Sequence, residues 1–134
     1  MTKIEGQITV DSPLDAEPTL HWLETVLAAK GVQIFARINH AAGASGAGMD
    51  LRPTTVLIFG NAKAGTPLMQ ANRAIGIDLP LKILVWEDDA GKTQMTTNDV
   101  EWLARRHAVS ERLFPIVQKM KHALGEVLRS AAQA

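Results

Sequence analysis

Residues 52–70 read RPTTVLIFGNAKAGTPLMQ, and residues 79–88 read LPLKILVWED. Each segment holds a mainly apolar run, at 54–59 and at 82–86, that is rich in β-branched or aromatic residues and lies close to Gly or Pro. Runs of this length and composition are typical of strands that are covered on both faces. The two runs therefore predict the centre of the fold, and the polar segment 60–67 between them is the expected place for a site.

Patterns on either side of this centre predict the other strands. Alternating apolar and polar residues indicate strands at 6–10, 32–39 and 93–97. Because the segment 93–97 is mostly polar, we expect it at an edge of the sheet. Residues 40–51, HAAGASGAGMDL, are rich in Ala and Gly, and we expect a mobile loop with one helical turn there.

Helical periodicity predicts helices between these strands and at the C-terminus. Their expected starts are Asp15 as an N-cap, Thr66 as an N-cap followed by Pro67, Asn98 with Glu101 in an arrangement that resembles a capping box, and Ser110. Gly31 and Gly76 mark the ends of the first two helices. The last helix extends to Ala132 and carries an apolar stripe made of Leu113, Ile116, Val117, Met120, Leu124, Val127 and Leu128.

Turn residues at 88–92 join the runs 82–86 and 93–97 by a hairpin, so we expect this pair of strands to be antiparallel. Together the elements predict an α+β fold with a two-layer, mainly antiparallel sheet of about five strands and the long C-terminal helix packed on it. The chain has 134 residues, which suits one domain, and we expect residues 1–134 to form a single domain.

The composition excludes several kinds of partner and chemistry. With a formal net charge of +0, the protein has no long-range field that would attract nucleic acid or an anionic membrane. The absence of cysteine rules out disulfides, thiolate catalysis and cysteine-ligated zinc. Residues 1–6 lack the apolar core of a signal peptide, and no apolar run reaches the length of a membrane span. We therefore expect a cytoplasmic protein that binds neither nucleic acid nor membrane.

Two sequence blocks, FGN-x-K-x-GTPLM at 59–69 and LPLK-x-LVWED at 79–88, occur in an order and at a spacing that resemble the domain-of-unknown-function 302 family of small bacterial and archaeal proteins. The segments GVQIFARINHAA at 31–42 and WLARRH at 102–107 are similar to the same pattern. The resemblance covers most of the chain. It implies an α+β fold and a tendency to form dimers, and it implies no established activity.

Three candidate ligand-binding residues, Asn61, Lys63 and Thr66, follow the first central run. The glycines of this segment have the spacing of a phosphate loop, but no lysine directly precedes Thr66, so nucleotide hydrolysis is disfavoured. One interpretation is a tight turn that caps the next helix. The other is a site where Lys63, close to a helix N-terminus, holds the anionic group of a small ligand. Ala62 departs from the family's pattern, in which proline often follows the asparagine.

Arg37, His40 and Glu87 are the other candidate ligand-binding residues, because they are charged or titratable groups near predicted strand ends. A histidine beside a carboxylate can act as a base, but Asn39 stands where the family commonly has an aspartate before His40. Glu87 and Asp88 lead into a turn and point to opposite faces, so we do not expect them to hold a metal ion together. We predict neither a metal site nor a cofactor.

The other histidines, His21, His107 and His122, lack the spacing of metal ligands and are expected at the surface. Trp86 and Trp102 are expected to anchor the core or an interface, with partners for their indole N–H groups where these are buried.

Two classes of function remain open. One is a non-catalytic homodimeric module that binds a small anionic ligand or another protein. A central strand that is apolar on both faces needs more cover than the predicted helices provide, which favours the homodimer. The other class is a small enzyme that acts on an anionic metabolite, with His40, Lys63 or Glu87 in a cleft at residues 61–66. The missing nucleophile and metal ligands favour the module.

Overall fold

The computed structural model describes residues 3–134. The strands are β1 (Gln7–Ser12), β2 (Gln33–Asn39), β3 (Thr54–Gly60), β4 (Leu81–Glu87) and β5 (Thr93–Asn98). The helices are α1 (Ala16–Ala29), α2 (His40–Gly46), α3 (Ala62–Ala71), α4 (Val100–Arg106) and α5 (Phe114–Ala132), with 3-10 turns at Arg73–Ile77 and Glu111–Leu113. The strands form one antiparallel sheet in the order β1-β5-β4-β3-β2. The predicted α+β class, with an antiparallel sheet and a long C-terminal helix, is confirmed.

The two runs that decide the fold form β3 and β4, which are neighbours at the middle of the sheet. Leu57 of β3 and Ile83 of β4 face each other across the ladder, and both side chains are 0% exposed. Val85, two residues further along β4, is also 0% exposed. Alternate residues of a strand point to opposite faces, so these side chains mark one face of the sheet as the covered face.

The edge position predicted for residues 93–97 is wrong, because β5 pairs with β1 on one side and with β4 on the other. Thr97 of β5 tolerates burial because its hydroxyl has a partner: Thr97 Oγ1 donates to the carbonyl oxygen of Lys82 over 2.6 Å. Met95, which is 0% exposed, adds an apolar contact to the core. A polar strand can therefore lie inside a sheet when its side chains are hydrogen-bonded.

Helices α1 and α5 pack against each other and against the covered face. Their buried apolar residues are Leu20, Leu23 and Leu27 from α1, and Val117, Leu124, Val127, Leu128 and Ala131 from α5. The predicted stripe of the last helix thus faces the core, and its α-helical part begins at Phe114, as Pro115 indicates. Gly31 ends α1 with a φ of 73°, which is the expected left-handed C-terminal position.

The predicted start of α3 is wrong. The helix begins at Ala62 with Asn61 as its N-cap, because Asn61 Oδ1 accepts the Lys63 N–H over 2.9 Å. Thr66 and Pro67 therefore lie inside the helix instead of at its start. The polar segment 60–67, for which a tight turn was one interpretation, is therefore helical from Ala62 onward.

Two further local predictions are corrected. Asp99, and not Asn98, caps α4, since Asp99 Oδ1 accepts the Glu101 N–H over 3.0 Å. The segment expected to be a mobile loop contains α2, whose start is stabilised by Asn39 Oδ1 accepting the Ala42 N–H over 2.9 Å. Helix α2 has no buried residue, so its cap and backbone hydrogen bonds, and not core packing, explain why it forms.

The second face of the sheet is apolar at its centre and only partly covered, and we call it the open face. It carries Val56 and Ile58 of β3 and Leu84 and Trp86 of β4, all of which are half-buried. Ile38 of the neighbouring edge strand β2 lies opposite Val56 and is 43% exposed. The Trp86 indole N–H donates to Thr96 Oγ1 over 2.8 Å, which fixes the indole on this face.

Candidate functional site

A cavity of about 540 Å³ lies at one end of the sheet, between the covered face, α3 and α5, and we call it the end cavity. Its walls come from the last residues of β3, the first of β4, the C-terminal end of α1 and one side of α5. Its volume falls in the range of about 300–1,000 Å³ that is usual for small-molecule sites. The end cavity lies beside the polar segment that the sequence singled out.

The chain leaves this space open because small residues follow β3. At Gly60, a Cβ atom would lie 3.3 Å from Phe35 Cε2 and 3.3 Å from Pro80 Cβ, so a larger residue would push against the wall. At Gly65, the nearest atom to a Cβ would be Met69 Cε at 3.7 Å, which is an ordinary contact. Gly65 thus keeps volume free that a larger side chain on α3 would fill.

The interior of the end cavity is apolar. Its lining includes the aromatic ring of Phe59, the thioether of Met69 and the aliphatic side chains of Leu27, Leu124 and Val127. Within residues 3–134, no buried side-chain nitrogen or oxygen atom lacks a hydrogen-bond partner. The interior therefore offers dispersion and hydrophobic contact, and it has no unsatisfied polar group that would select a polar ligand.

Charged groups are confined to the rim. Two lysines, Lys30 at the C-cap of α1 and Lys119 of α5, are among the lining residues. Lys30 Nζ donates to Glu126 Oε2 over 2.6 Å, and His122 Nε2 lies 2.6 Å from Glu126 Oε1. The hydrogen bond from Lys30 is the main cause of the lowered pKa of Glu126. Lys119, by contrast, forms no ion pair with any group in the part of the chain that the structure describes.

Three of the sequence-predicted residues lie at this end of the sheet. Asn61 and Thr66 are among the residues that line the end cavity. Asn61 also has a structural role, since it caps α3. Lys63 stands in the first turn of α3 with an exposed side chain and is not among the lining residues. The polar segment 60–67 lies beside this cleft, and the lysines that line the cleft are Lys30 and Lys119.

The other three predicted residues lie elsewhere. Arg37, on β2, donates to Glu17 over 2.8 Å and to Glu24 over 3.2 Å, and the bond to Glu17 is the main cause of its raised pKa. His40 begins α2, and Glu87 ends β4. These two residues belong to the end of the sheet opposite the end cavity, about 20 Å away along β3 at about 3.3 Å per residue. The six residues therefore do not form one cluster.

The expectation that His107 lies at the surface is wrong. Its side chain is only 10% exposed, and its Nε2 atom lies 2.6 Å from Asp78 Oδ2. Arg106 donates to the same carboxylate over 2.8 Å, so that both residues at the end of α4 hold the segment that precedes β4. The partners are 29 residues apart in sequence. No local pattern in the sequence predicts such a contact.

Residues 3–134 contain neither a cluster of metal-ligating side chains nor a helix that could span a membrane. No group of three or more His, Asp or Glu side chains in this range is placed to hold a metal ion. No helix in this range is both long and apolar enough to cross a membrane.

Comparison with known proteins identifies one family. The family model described as Domain of unknown function DUF302 matches residues 8–130. A crystal structure of an uncharacterized conserved protein DUF302 from Bacillus stearothermophilus superposes with a TM-score of 0.84 at 20% identity, covering 96% of this chain and 99% of that chain. At this identity, the likeness shows a shared fold.

Curated relatives carry a different name. A protein named fluoride-specific ion channel FluC 1 from Brucella suis biovar 1 (strain 1330) is 40% identical over 127 residues, which are 95% of this chain and 50% of the relative. The protein of the same name from Brucella abortus biovar 1 (strain 9-941) is also 40% identical, and the match covers 47% of it. The chain therefore spans about half the length of these relatives.

Proposed function

The chain belongs to the DUF302 family, and we propose that it is a cytoplasmic, non-catalytic homodimer that binds a small molecule in the end cavity. The observation that carries this proposal is the cavity itself, about 540 Å³ in volume, walled by apolar side chains and bordered by polar groups only at its rim. A concave apolar site with a few polar groups is the usual form of a ligand pocket.

The placement of the charged candidates favours binding over catalysis. Of the residues considered for a small enzyme, His40 and Glu87 lie at the far end of the sheet. Lys63 is at the near end but points to solvent. A general base must come within hydrogen-bond reach of its substrate, about 2.6–3.2 Å or one water away. A ligand in the end cavity is too far from His40 and Glu87 for either to act on it.

The homodimer is supported by the open face. Val56, Ile58, Leu84 and Trp86 form a contiguous apolar centre on neighbouring strands, and Ile38 extends it to the sheet edge. A second copy of the chain with the same face would supply a matching apolar surface, as in other two-fold dimers. Because the open face and the end cavity use different side chains, two copies could associate and still bind ligand.

Titration with Nile red, an uncharged dye that fluoresces in apolar surroundings, tests the ligand site. We expect saturable binding to the wild type and clearly weaker binding to Gly65→Leu, whose side chain would occupy part of the cavity. This substitution is compatible with the helix, since Gly65 has ordinary contacts and leucine has the higher helix propensity. Gly43→Leu on α2, where a Cβ meets nothing within 4 Å, is the matched control and should bind like the wild type. Equal binding by both variants would disprove the assignment of the site.

A second candidate function is favoured by the likeness to proteins named as fluoride channels. The protein would associate with a fluoride channel and change its activity. Fluoride efflux from vesicles that contain such a channel can be measured with and without the purified protein. A changed efflux rate would support this role, and an unchanged rate at saturating protein would exclude it.

A further inference from the structure

We propose that the ligand of the end cavity is a single-chain amphipathic carboxylate, whose hydrocarbon tail fills the cavity while its carboxylate pairs with Lys119 at the rim. This inference rests on the proposed function, because it names the chemical class that the same site would take. The apolar interior, the charge of the rim and the position of Lys119 on α5 support this ligand class.

The interior selects a hydrocarbon. Phe59, Met69 and Leu124 present aromatic, thioether and aliphatic surfaces, and the polar lining groups Asn61 and Thr66 are exposed residues at the edge. The absence of any unpaired buried polar side-chain atom in residues 3–134 means that a polar ligand would lose its hydrogen bonds to water without replacement. A hydrocarbon chain loses nothing of this kind and gains about 25 cal/mol for each Å² removed from water.

The rim selects one negative charge. Lys30 is already neutralised, since its ammonium group lies 2.6 Å from Glu126 Oε2. Glu126 also has His122 at 2.6 Å, so this carboxylate is occupied on both oxygen atoms. Lys119 has no carboxylate partner within the described residues, and it is the remaining cation of the lining. The rim thus carries one uncompensated positive charge, which is complementary to a ligand with a single anionic group.

The position of Lys119 connects the two regions. Residues three or four apart lie on the same side of a helix, so Lys119, Ala123 and Val127 follow one another along the side of α5 that faces the cavity. Val127 is 1% exposed and belongs to the core, whereas Lys119 is exposed. A ligand aligned with α5 would therefore have its tail beside Val127 and its head group beside Lys119.

Nucleotides and other polyanions fit less well. They need several donors for their phosphates and polar partners for a base, whereas the rim has one free cation among the described residues and the interior is apolar. A free acid with an unbranched chain satisfies both regions with the fewest unmatched groups.

Calorimetric titration of decanoate and of 1-decanol, which share the same tail, separates the two claims. We expect decanoate to bind about fivefold more tightly than 1-decanol, the advantage of one solvent-accessible ion pair. We also expect affinity to rise about fourfold for each methylene from hexanoate to decanoate, since burying a methylene is worth about 0.8 kcal/mol. Equal affinity of the acid and the alcohol would overturn this inference and leave the ligand site standing. If neither compound nor Nile red binds, the proposed function itself fails.

Substitutions that remove or reverse the charge of Lys119 test whether this residue pairs with the carboxylate of the ligand. Lys119→Gln should bind decanoate about fivefold more weakly and leave 1-decanol binding unchanged. Lys119→Glu should prefer decylamine to decanoate. Lys63→Gln is the matched control, because this lysine is also exposed at the same end of the molecule but is not among the lining residues. If Lys63→Gln weakens decanoate binding and Lys119→Gln does not, the head group lies at the start of α3 and the assignment to Lys119 is wrong.

Discussion

The two faces of the sheet are built from the same strands and have different degrees of burial. On β3, Leu57 of the covered face is 0% exposed, and its neighbour Ile58 of the open face is half-buried. On β4, Val85 is 0% exposed and its neighbour Leu84 is half-buried. All four side chains are apolar. The sequence of each strand therefore does not distinguish the face that forms the core from the face that remains available.

This difference indicates two roles for apolar residues in one element. The covered face stabilises the monomer through contact with α1 and α5. The apolar residues of the open face are only half-buried, and they would be covered in the proposed homodimer. The predictions that follow test this division, starting with the largest expected effect.

Leu57→Ala and Leu84→Ala make the same substitution on two neighbouring strands. Leu57 lies on the covered face and Leu84 on the open face. Leu57→Ala should lower the free energy of unfolding by about 2–5 kcal/mol, the range for emptying a buried leucine site, at any protein concentration. We expect a similar loss for Leu124→Ala on α5, which is 5% exposed. If the open face forms the proposed dimer, Leu84→Ala should have a smaller effect that increases with protein concentration. Urea unfolding at several protein concentrations measures all three variants. Equal, concentration-independent losses at positions 57 and 84 would contradict the division between the faces.

Ile58→Lys places a charge at the centre of the open face. If this face forms the dimer, the substitution should weaken association by at least about thirtyfold, as for a central interface residue. Sedimentation velocity should then show dimers for the wild type and monomers for the variant at micromolar concentration. Gln70→Lys adds the same charge at an exposed position on α3 and should remain dimeric. A wild type that sediments only as a monomer would remove the homodimer from the proposal.

Acidic pH should weaken the hydrogen-bonded ion pairs that join the helices of the covered side. Hydrogen bonds from Gln118 and Lys121 lower the pKa of Glu101, and a hydrogen bond from Lys30 lowers that of Glu126. A carboxyl group with a lowered pKa in the folded state adds stability that is present above its unfolded pKa, about 4.3, and is lost as the pH falls through the folded value. Stability should therefore decrease below about pH 4.3.

The double variant Glu101→Gln, Glu126→Gln is the control for this pH dependence. Each of the two carboxylates forms a hydrogen bond to a neighbouring helix or its C-cap. Removing their charge should therefore make the free energy of unfolding fall less steeply as the pH is lowered. Dimerisation should stay unchanged. We expect this effect to be the smallest of the series, since ion pairs open to solvent contribute little. Urea unfolding between about pH 3 and about pH 7 measures it. If stability falls equally steeply at acidic pH in wild type and variant, other carboxyl groups are responsible for the pH dependence.

Local sequence patterns predicted much of the fold. The apolar runs of β3 and β4, the glycine at the end of α1 and the stripe of α5 each act through neighbours in the chain or through their own periodicity. The errors arose where two local signals competed or where long-range contacts decided. Thr66–Pro67 is a strong helix-start signal, but the Asn61 cap lies earlier and starts α3 first. The polar strand β5 lies inside the sheet because of its partners β1 and β4, which its own composition does not indicate.

The sequence indicated where a candidate site would lie along the chain, but it did not indicate the lysines that line it. The sequence indicated the segment at Asn61 and Thr66, which does border the end cavity. Lys30 and Lys119 were not predicted as site residues, because they come from the C-cap of α1 and from α5 and reach the rim only through tertiary packing. His40 and Glu87 were grouped with the site since both lie near strand ends, but antiparallel pairing places their strand ends opposite to the cavity.

Native mass spectrometry of the protein purified under mild conditions tests the central claim most directly, because one spectrum reports both association and bound ligand. We predict a dimer mass that carries an additional small-molecule mass, whose occupancy is reduced in Gly65→Leu and retained in Gly43→Leu. Dimers that lack any bound compound, and that also take up none of the added decanoate, would contradict the ligand site. A spectrum with bare monomers alone would contradict the account as a whole.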